Sequence, residues 1–308
     1  QVAINPSDGS FVVVWTASGN EDGNGNGVFL RQFNADGTAR TGEIQVNSYT
    51  SGDQQNPAIA MDDSGNFVVV WESQNQDGSG YGIYAQRFNS NGTTNGAEIQ
   101  VNTTTSGDQT SPSVAMSNSG GFVVAWTSVN EDGSGNGVYA RKFSDATGTW
   151  GSAFRVNATT ANDQFDPAVA MNKATGDYVI VWTSTGQDGS GDGVYGRLFN
   201  AAGGTVKSEF LINSSITSKN QNMADVAMNG SGAFVIVMAD DWTSQLFPAF
   251  KTGVYAYGFD NAGTAQFSGI LVNQYTDSDQ HNPAVALQNS GDFIVTGESA
   301  GQDSSGSS

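Results

Sequence analysis

Short apolar segments, closed off by Gly, Asn, Asp or Ser, recur along the whole chain. The first of each unit reads QVAI (1–4), AIAM (58–61), SVAM (113–116), AVAM (168–171), DVAM (225–228) and AVAL (284–287). After a polar turn comes a stronger run: FVVVW (11–15), FVVVW (67–71), FVVAW (122–126), YVIVW (178–182), FVIVM (234–238) and FIVTG (293–297). Its anchors Trp15, Trp71, Trp126, Trp182 and Met238 lie 55 or 56 residues apart. A third segment reads GVFLRQF (27–33), GIYAQRF (82–88), GVYARKF (137–143), GVYGRLF (193–199) and GVYAYGF (253–259). A fourth reads EIQVN (43–47), EIQVN (98–102), AFRVN (153–157), EFLIN (209–213) and GILVN (269–273). Val, Ile, Phe and Tyr in short runs without a 3.6-residue period predict strands, not helices. Connections such as DDSGN (62–66) and NSNGTTNG (89–96) carry the Gly and Asn that tight turns need. Each unit therefore predicts a four-stranded antiparallel meander.

Repetition of such sheets predicts an all-β fold, read here as a six-bladed β-propeller of four-stranded antiparallel blades. A linear solenoid or a string of small sandwiches fits the same repeat. The small Ala and Val of the first strand suit a crowded axis, the all-apolar second strand suits cover on both faces, and its Trp suits a wedge between blades. Residues 1–308 form one domain in this reading, with repeats of approximately 1–56, 57–111, 112–166, 167–223, 224–282 and a partial 283–308. The sixth repeat holds first and second strands only, so its blade is incomplete within this chain. That leaves a strand edge open to pairing. Other copies, or other segments of a surface assembly, are the expected partners there.

Composition narrows the function. Eleven Lys and Arg against 30 Asp and Glu give a net charge of −19, which repels nucleic acid and anionic lipid. Membrane insertion is not expected, because no apolar run approaches the length of a span. The absence of Cys removes disulfides, thiolate metal sites and a Cys nucleophile, and a single His (His281) removes a multi-histidine zinc site. The chain opens on Gln1 with no Met and no signal peptide, as a mature product, a fragment or the ordered part of something longer would.

The candidate chemistry lies in the connections between second and third strands. NEDGNGNG (20–27), NQDGSGYG (75–82), NEDGSGNG (130–137) and GQDGSGDG (186–193) place alternate oxygen side chains on a Gly-rich bend, as the opening half of a calcium loop does. Candidate Ca²⁺ ligands are Asp22, Asn24 and Asn26; Asp77 and Ser79; Asp132, Ser134 and Asn136; and Asp188, Ser190 and Asp192. Asp53, Asp108 and Asp163 of the adjoining loops would complete them. A full EF-hand is excluded, because no bidentate Glu stands at position twelve. The alternative is a Gly-rich hairpin whose Asp caps its own backbone. The fifth copy departs, running from Asp240 to Gly253 with Trp242, Phe247 and Phe250, as a plug or contact surface would. The final copy is GQDSSGSS (301–308).

Other recurrent residues read as structural. Gln54, Gln109, Gln164, Gln221 and Gln280 have the donors and acceptor to pin a loop. Arg31, Arg141 and Arg197 share a position with Gln86 and Tyr257, which argues against an anion pocket. Tyr84, Tyr139, Tyr195 and Tyr255, with Phe29, are expected between blades rather than stacked on sugars. No nucleophile elbow, P-loop or dinucleotide fingerprint is present. Near-equal copies favour a many-fold surface over a single asymmetric site, so no enzyme and no catalytic residue is expected.

The unit VNxxTxxxQxxPAVAMxxxGxFVVVWxSxxQDGSGxGIYAQRF resembles the tandem repeats of very large secreted and surface proteins of bacteria, including cyanobacteria, which often accompany calcium-binding RTX-type or cadherin-like modules. The resemblance is tight in the second to fourth copies and loose around 240–253. It implies an extracellular or cell-surface location and a structural or adhesive role. The sequence thus points to a non-catalytic, calcium-stabilised module of a larger surface protein. The alternatives are a carbohydrate-binding lectin with one site per blade, which would make glycans partners, and a secreted glycan-active enzyme.

Overall fold

The computed structural model describes residues 1–214, 220–240, 252–275 and 278–300. These form antiparallel β-sheets, one per repeat. The first sheet contains Val2–Ile4, Phe11–Ala17, Gly27–Phe33 and Ile44–Gln45; the second contains Gln54–Met61, Phe67–Gln74, Tyr81–Phe88 and Ile99–Gln100. The third is built on Gln109–Met116, Phe122–Val129, Asn136–Ser144 and Phe154–Arg155, with Thr149–Trp150 as an added two-residue strand. The fourth (Gln164–Met171, Tyr178–Thr185, Asp192–Phe199, Thr205–Leu211) and fifth (Gln221–Met228, Phe234–Asp240, Gly253–Phe259, Ala265–Leu271) are again four-stranded. The last pairs Gln280–Leu287 with Phe293–Ser299. Two compact units emerge, one of residues 1–156 with 173–176 and one of 157–172 with 177–308. Among the described residues no helix is long and apolar enough to cross a membrane.

Burial of both faces fixes the second strand in the second to fifth sheets. Phe67 to Trp71 are each 0 % exposed, as an unbroken apolar run requires. Register places an aromatic at the start of the second strand opposite one at the end of the third. Phe67 and Phe88 stack at 4.9 Å between ring centres, and Phe122 and Phe143 also at 4.9 Å. At the other end of the strand Trp71 faces Tyr84, and Trp126 faces Tyr139, each pair at 6.5 Å. Trp71 joins a cluster with Val28 and Val46 of the preceding sheet, and Trp126 one with Ile83 and Val101. The Trp is therefore a wedge between sheets, as its composition implied.

The first and fourth strands differ from the sequence reading. From the second repeat onward the first strand begins at the Gln, four residues earlier than read, and carries a bulge. Asn56 (φ 51°), Ser111 (φ 53°) and Asp166 (φ 50°) take the left-handed conformation just before Pro. That bulge restores pairing on both sides of a proline that has no amide to give. Fourth strands shrink to Ile44–Gln45 and Ile99–Gln100 because only two residue pairs align before the loop turns away. The 241–251 stretch of the fifth loop with Trp242, Phe247 and Phe250, and the final copy at 301–308, lie outside the described residues.

Candidate functional site

One end of the first and second sheets gathers the connection between second and third strands and the connection leading into the next repeat. A buried Asn at the end of the fourth segment organises this end. Asn102 Oδ1 accepts the Ile83 amide at 2.9 Å, while Nδ2 lies 2.9 Å from Asp77 Oδ2, 2.8 Å from Gln109 Oε1 and 2.8 Å from Thr104 O. Asn47 repeats the set with Val28, Asp22, Gln54 and Tyr49. Asn213 repeats its core with Val194 and Gln221. The recurrent Gln is thus buried and structural, as its donor and acceptor pattern suggested.

The aspartates proposed for calcium occupy the same network. Asp22, Asp77, Asp132 and Asp188 are half-buried, and Oδ1 of each accepts the amide two residues on, from Asn24, Ser79, Ser134 and Ser190 at 3.0–3.2 Å. Asp53 Oδ1 accepts the Asn26 amide and Asp108 Oδ1 the Tyr81 amide, both at 2.9 Å. Asn136, Asp163 and Asp192 are half-buried at the equivalent places in their own loops. A Cβ on Gly82 would stand 2.6 Å from Asp77 Oδ2, so Gly is required where the carboxylate folds over the strand. Among the described residues no three His, Cys, Asp or Glu side chains gather as a metal-holding group.

Tyr84, Tyr139 and Tyr255 lie between sheets, and these and Tyr195 are each less than a tenth exposed. Burial pushes the Tyr139 and Tyr195 phenols up to about 12, with the neighbouring carboxylates Glu131 and Asp132, or Asp188 and Glu209, adding to the rise. Arg141 donates to Gly151 O and Val101 O, and Arg31 to Thr41 O, which ties these arginines to backbone instead of an anion pocket.

Two residues break the repeat at this end, and both belong to the second sheet. Glu72 follows Trp71 where Thr16, Thr127 and Thr183 follow the other Trp residues. It is 2 % exposed. Its Oε2 accepts Gln55 Nε2 at 3.1 Å and Asn56 Nδ2 at 2.9 Å, and its Oε1 accepts the Ser111 amide of the next repeat at 2.7 Å. The bulges of two successive first strands are therefore stapled to one carboxylate. Tyr81 stands where Asn26, Asn136 and Asp192 stand in other copies. Burial raises its phenol above the ordinary value, and the charges of Asp53, Glu72 and Asp108 push the same way. Tyr81 thus stands beside Asp108, whose Oδ1 accepts its amide, on loops that reach solvent. Sequence reasoning passed over Glu72 and Tyr81 because it weighed what the repeats share. The signal was the departure: a charge inside an apolar strand, and a ring in a Gly-rich turn.

No family model and no curated protein matches this chain. Solved structures do share its fold. An α-L-arabinofuranosidase from Fusarium graminearum aligns with a TM-score of 0.59 at 14 % identity, over 96 % of this chain and 86 % of its own. A polysaccharide lyase of the ulvan lyase type aligns at 0.55 and 12 % identity, over 93 % and 75 %. A protein of unknown function from Dyadobacter fermentans aligns at 0.59 and 10 % identity, over 92 % and 85 %. These likenesses correct the expectation of a non-catalytic structural or adhesive module. The fold is one on which glycan-processing enzymes are built. The physical reason is that near-equal sheets form a scaffold, on which a few substituted positions suffice to make one asymmetric site.

Proposed function

We propose that this chain is a glycan-active protein working outside the cell, a six-bladed propeller whose saccharide-facing surface is the end of the second sheet carrying Tyr81, Asp53 and Asp108. The observation that carries the reading is the paired departure at Glu72 and Tyr81, which gives one sheet end a chemistry that the other copies lack. Tyr81 supplies a phenol hydroxyl where the first, third and fourth copies carry Asn or Asp. Asp53 and Asp108 each spend one oxygen on a loop amide and keep the other for a sugar hydroxyl. Glu72 is a positioning residue: fully enclosed, it fixes the bulges of two neighbouring repeats beneath these loops.

Within the first unit, turns of different repeats meet at the opposite sheet end. Lys173 Nζ lies 3.0 Å from Asp63 Oδ1, and Asn118 Nδ2 lies 2.7 Å from Asp63 Oδ2. The glycan activity of the similar solved structures supports the substrate class.

The test is a panel of acidic and neutral polysaccharides, assayed for new reducing ends and for unsaturated products, with affinity measured in parallel. The expected result is activity or binding on at least one, lowered about tenfold or more by Tyr81→Phe or Asp108→Asn, with the melting temperature unchanged. Loss of one charged hydrogen bond to substrate, about 1.5–3 kcal/mol, gives that factor. A panel with neither binding nor product release would overturn the proposal.

A further inference from the structure

Tyr81 opens the third strand of the second sheet, and Arg87 lies at the other end of that strand. There a cavity of about 220 Å³ lies between the second and third sheets. Arg87, Asn89 and Asn95 line it from the second sheet, Asn118 and Asp145 from the third. The space is several times the about 30 Å³ share of one water. It is also below the about 300–1,000 Å³ of a site for a drug-sized molecule. A single sugar ring falls in that range.

Two residues that break the repeat meet in this cleft. Arg87 stands where Gln32, Lys142, Leu198 and Gly258 stand in other copies, and Asp145 where Ala35, Ser90, Ala201 and Asn261 stand. Arg87 Nη1 donates to Asp145 Oδ1 at 3.0 Å, and the guanidinium lies over the Phe143 ring, 4.5 Å from its centre. Carboxylate and ring hold the fork in place, with the Arg87 side chain 20 % exposed. Its Nε is buried without a partner. Its Nη2 lies toward the rim, where a Cβ on Gly96 would stand 3.7 Å from it. Asp145 is 46 % exposed and spends only Oδ1 on this contact. Asn95, exposed on the rim, gives its backbone N–H to Arg87 O at 2.8 Å, which fixes the strand beside the fork. Asp62 also lines the cleft, but Ser64 and Asn66 take both of its oxygens.

Charge selects what can enter. Asp145 balances Arg87, and the enclosed Asp62 adds a further negative charge to the wall, so an anion gains nothing by binding. An ammonium would face the guanidinium. The lining suits a ligand without net charge that both donates and accepts hydrogen bonds. Adjacent hydroxyls on a sugar ring do this, one accepting from Arg87 Nη2 and its neighbour donating to Asp145 Oδ2. Bonds to ionised groups are the stronger kind, and the asparagine amides offer further donors and acceptors. We propose that this cleft is a second saccharide site, taking one neutral sugar residue. It shares no residue with the Tyr81 end, so either site can stand without the other.

The experiment titrates methyl mannoside, methyl glucoside and methyl galactoside into the isotope-labelled 308-residue chain and follows its nuclear magnetic resonance spectrum. Methyl glucuronide and glucosamine serve as charged comparisons. The expected result is a saturable shift of the Arg87 Nε–H signal, and of the amides of Asn118 and Asp145, with at least one neutral glycoside. Asp145→Asn, at an exposed side chain, should weaken that binding about tenfold or more and leave the melting temperature unaltered. Arg87→Gln should abolish it, and Tyr81→Phe should leave it unchanged. Absence of a saturable shift with all three neutral glycosides would overturn the proposal. So would shifts confined to the Tyr81 end, equal binding by Asp145→Asn, or tighter binding of the glucuronide or glucosamine. The polysaccharide panel with Tyr81→Phe reads the other sheet end separately, so failure of one site is distinguishable from failure of the other.

Discussion

Asn102→Ala is the sharpest probe of how the loop end is held. The side chain is 3 % exposed and satisfies the buried Ile83 amide, the Gln109 amide oxygen, Asp77 and Thr104 O. Alanine leaves the Ile83 N–H and the Gln109 Oε1 without partners, in places where both residues are 0 % exposed. An orphaned buried polar group costs about 1–3 kcal/mol. Two such groups, less some relaxation, give about 3 kcal/mol. At roughly 2–4 °C per kcal/mol for a chain of this order, the melting temperature should fall by about 6–12 °C. Circular dichroism or calorimetric melting reads it directly. Thr103→Ala, next to it and exposed, should stay within about 0.5 kcal/mol of wild type. An Asn102→Ala protein melting within about 2 °C of wild type, against that expected fall, would refute the view that this Asn is the keystone of each loop end.

Other outcomes follow from the same structure. Burial raises the Asp225 carboxyl above its ordinary value, against the pull of the Val285 and Val226 amides. A raised carboxyl contributes stability below its unfolded pKa and loses it as pH rises through the folded value. Asp225→Asn should therefore melt at or above wild type at pH 7, the gap closing toward about pH 4; a gap that widens on acidification would contradict this. Carbodiimide should form a zero-length cross-link between Lys173 and Asp63, visible by peptide mass spectrometry, and its absence would contradict this contact. Calcium on the loops at Asp22, Asp77, Asp132 and Asp188 is read by melting in Ca²⁺ against EDTA. The amide caps expect a curve set by ionic strength alone, whereas a further rise, blunted in Asp132→Asn, would assign cations to these loops.

Much of the fold was legible because the second and third strands are buried on both faces, and burial of that kind writes an unbroken apolar run. The fourth strands of the first two sheets were overread: apolar EIQVN supplies Val46 and Val101 to the core, yet only two of its residues pair in the ladder. The first strands were underread, because a Gln, a polar residue and a Pro look like a loop until a left-handed bulge threads them into the sheet. The site was hidden for a related reason. Shared Asp residues drew notice by recurrence, although their geometry is that of caps. Glu72 and Tyr81 occur once each at their positions, and repetition as a guide discards single events.

The structure of the chain with a bound oligosaccharide tests the central claim most directly. Soaking should begin with the sugar that gives the tightest affinity in the polysaccharide panel. The account expects the saccharide over the end of the second sheet, with a sugar oxygen within hydrogen-bond reach of the Tyr81 hydroxyl and hydroxyls on Asp53 or Asp108. It expects Glu72 to keep its bonds to Gln55, Asn56 and Ser111. A saccharide seated on another sheet, or repeated equally on every loop end, would contradict it.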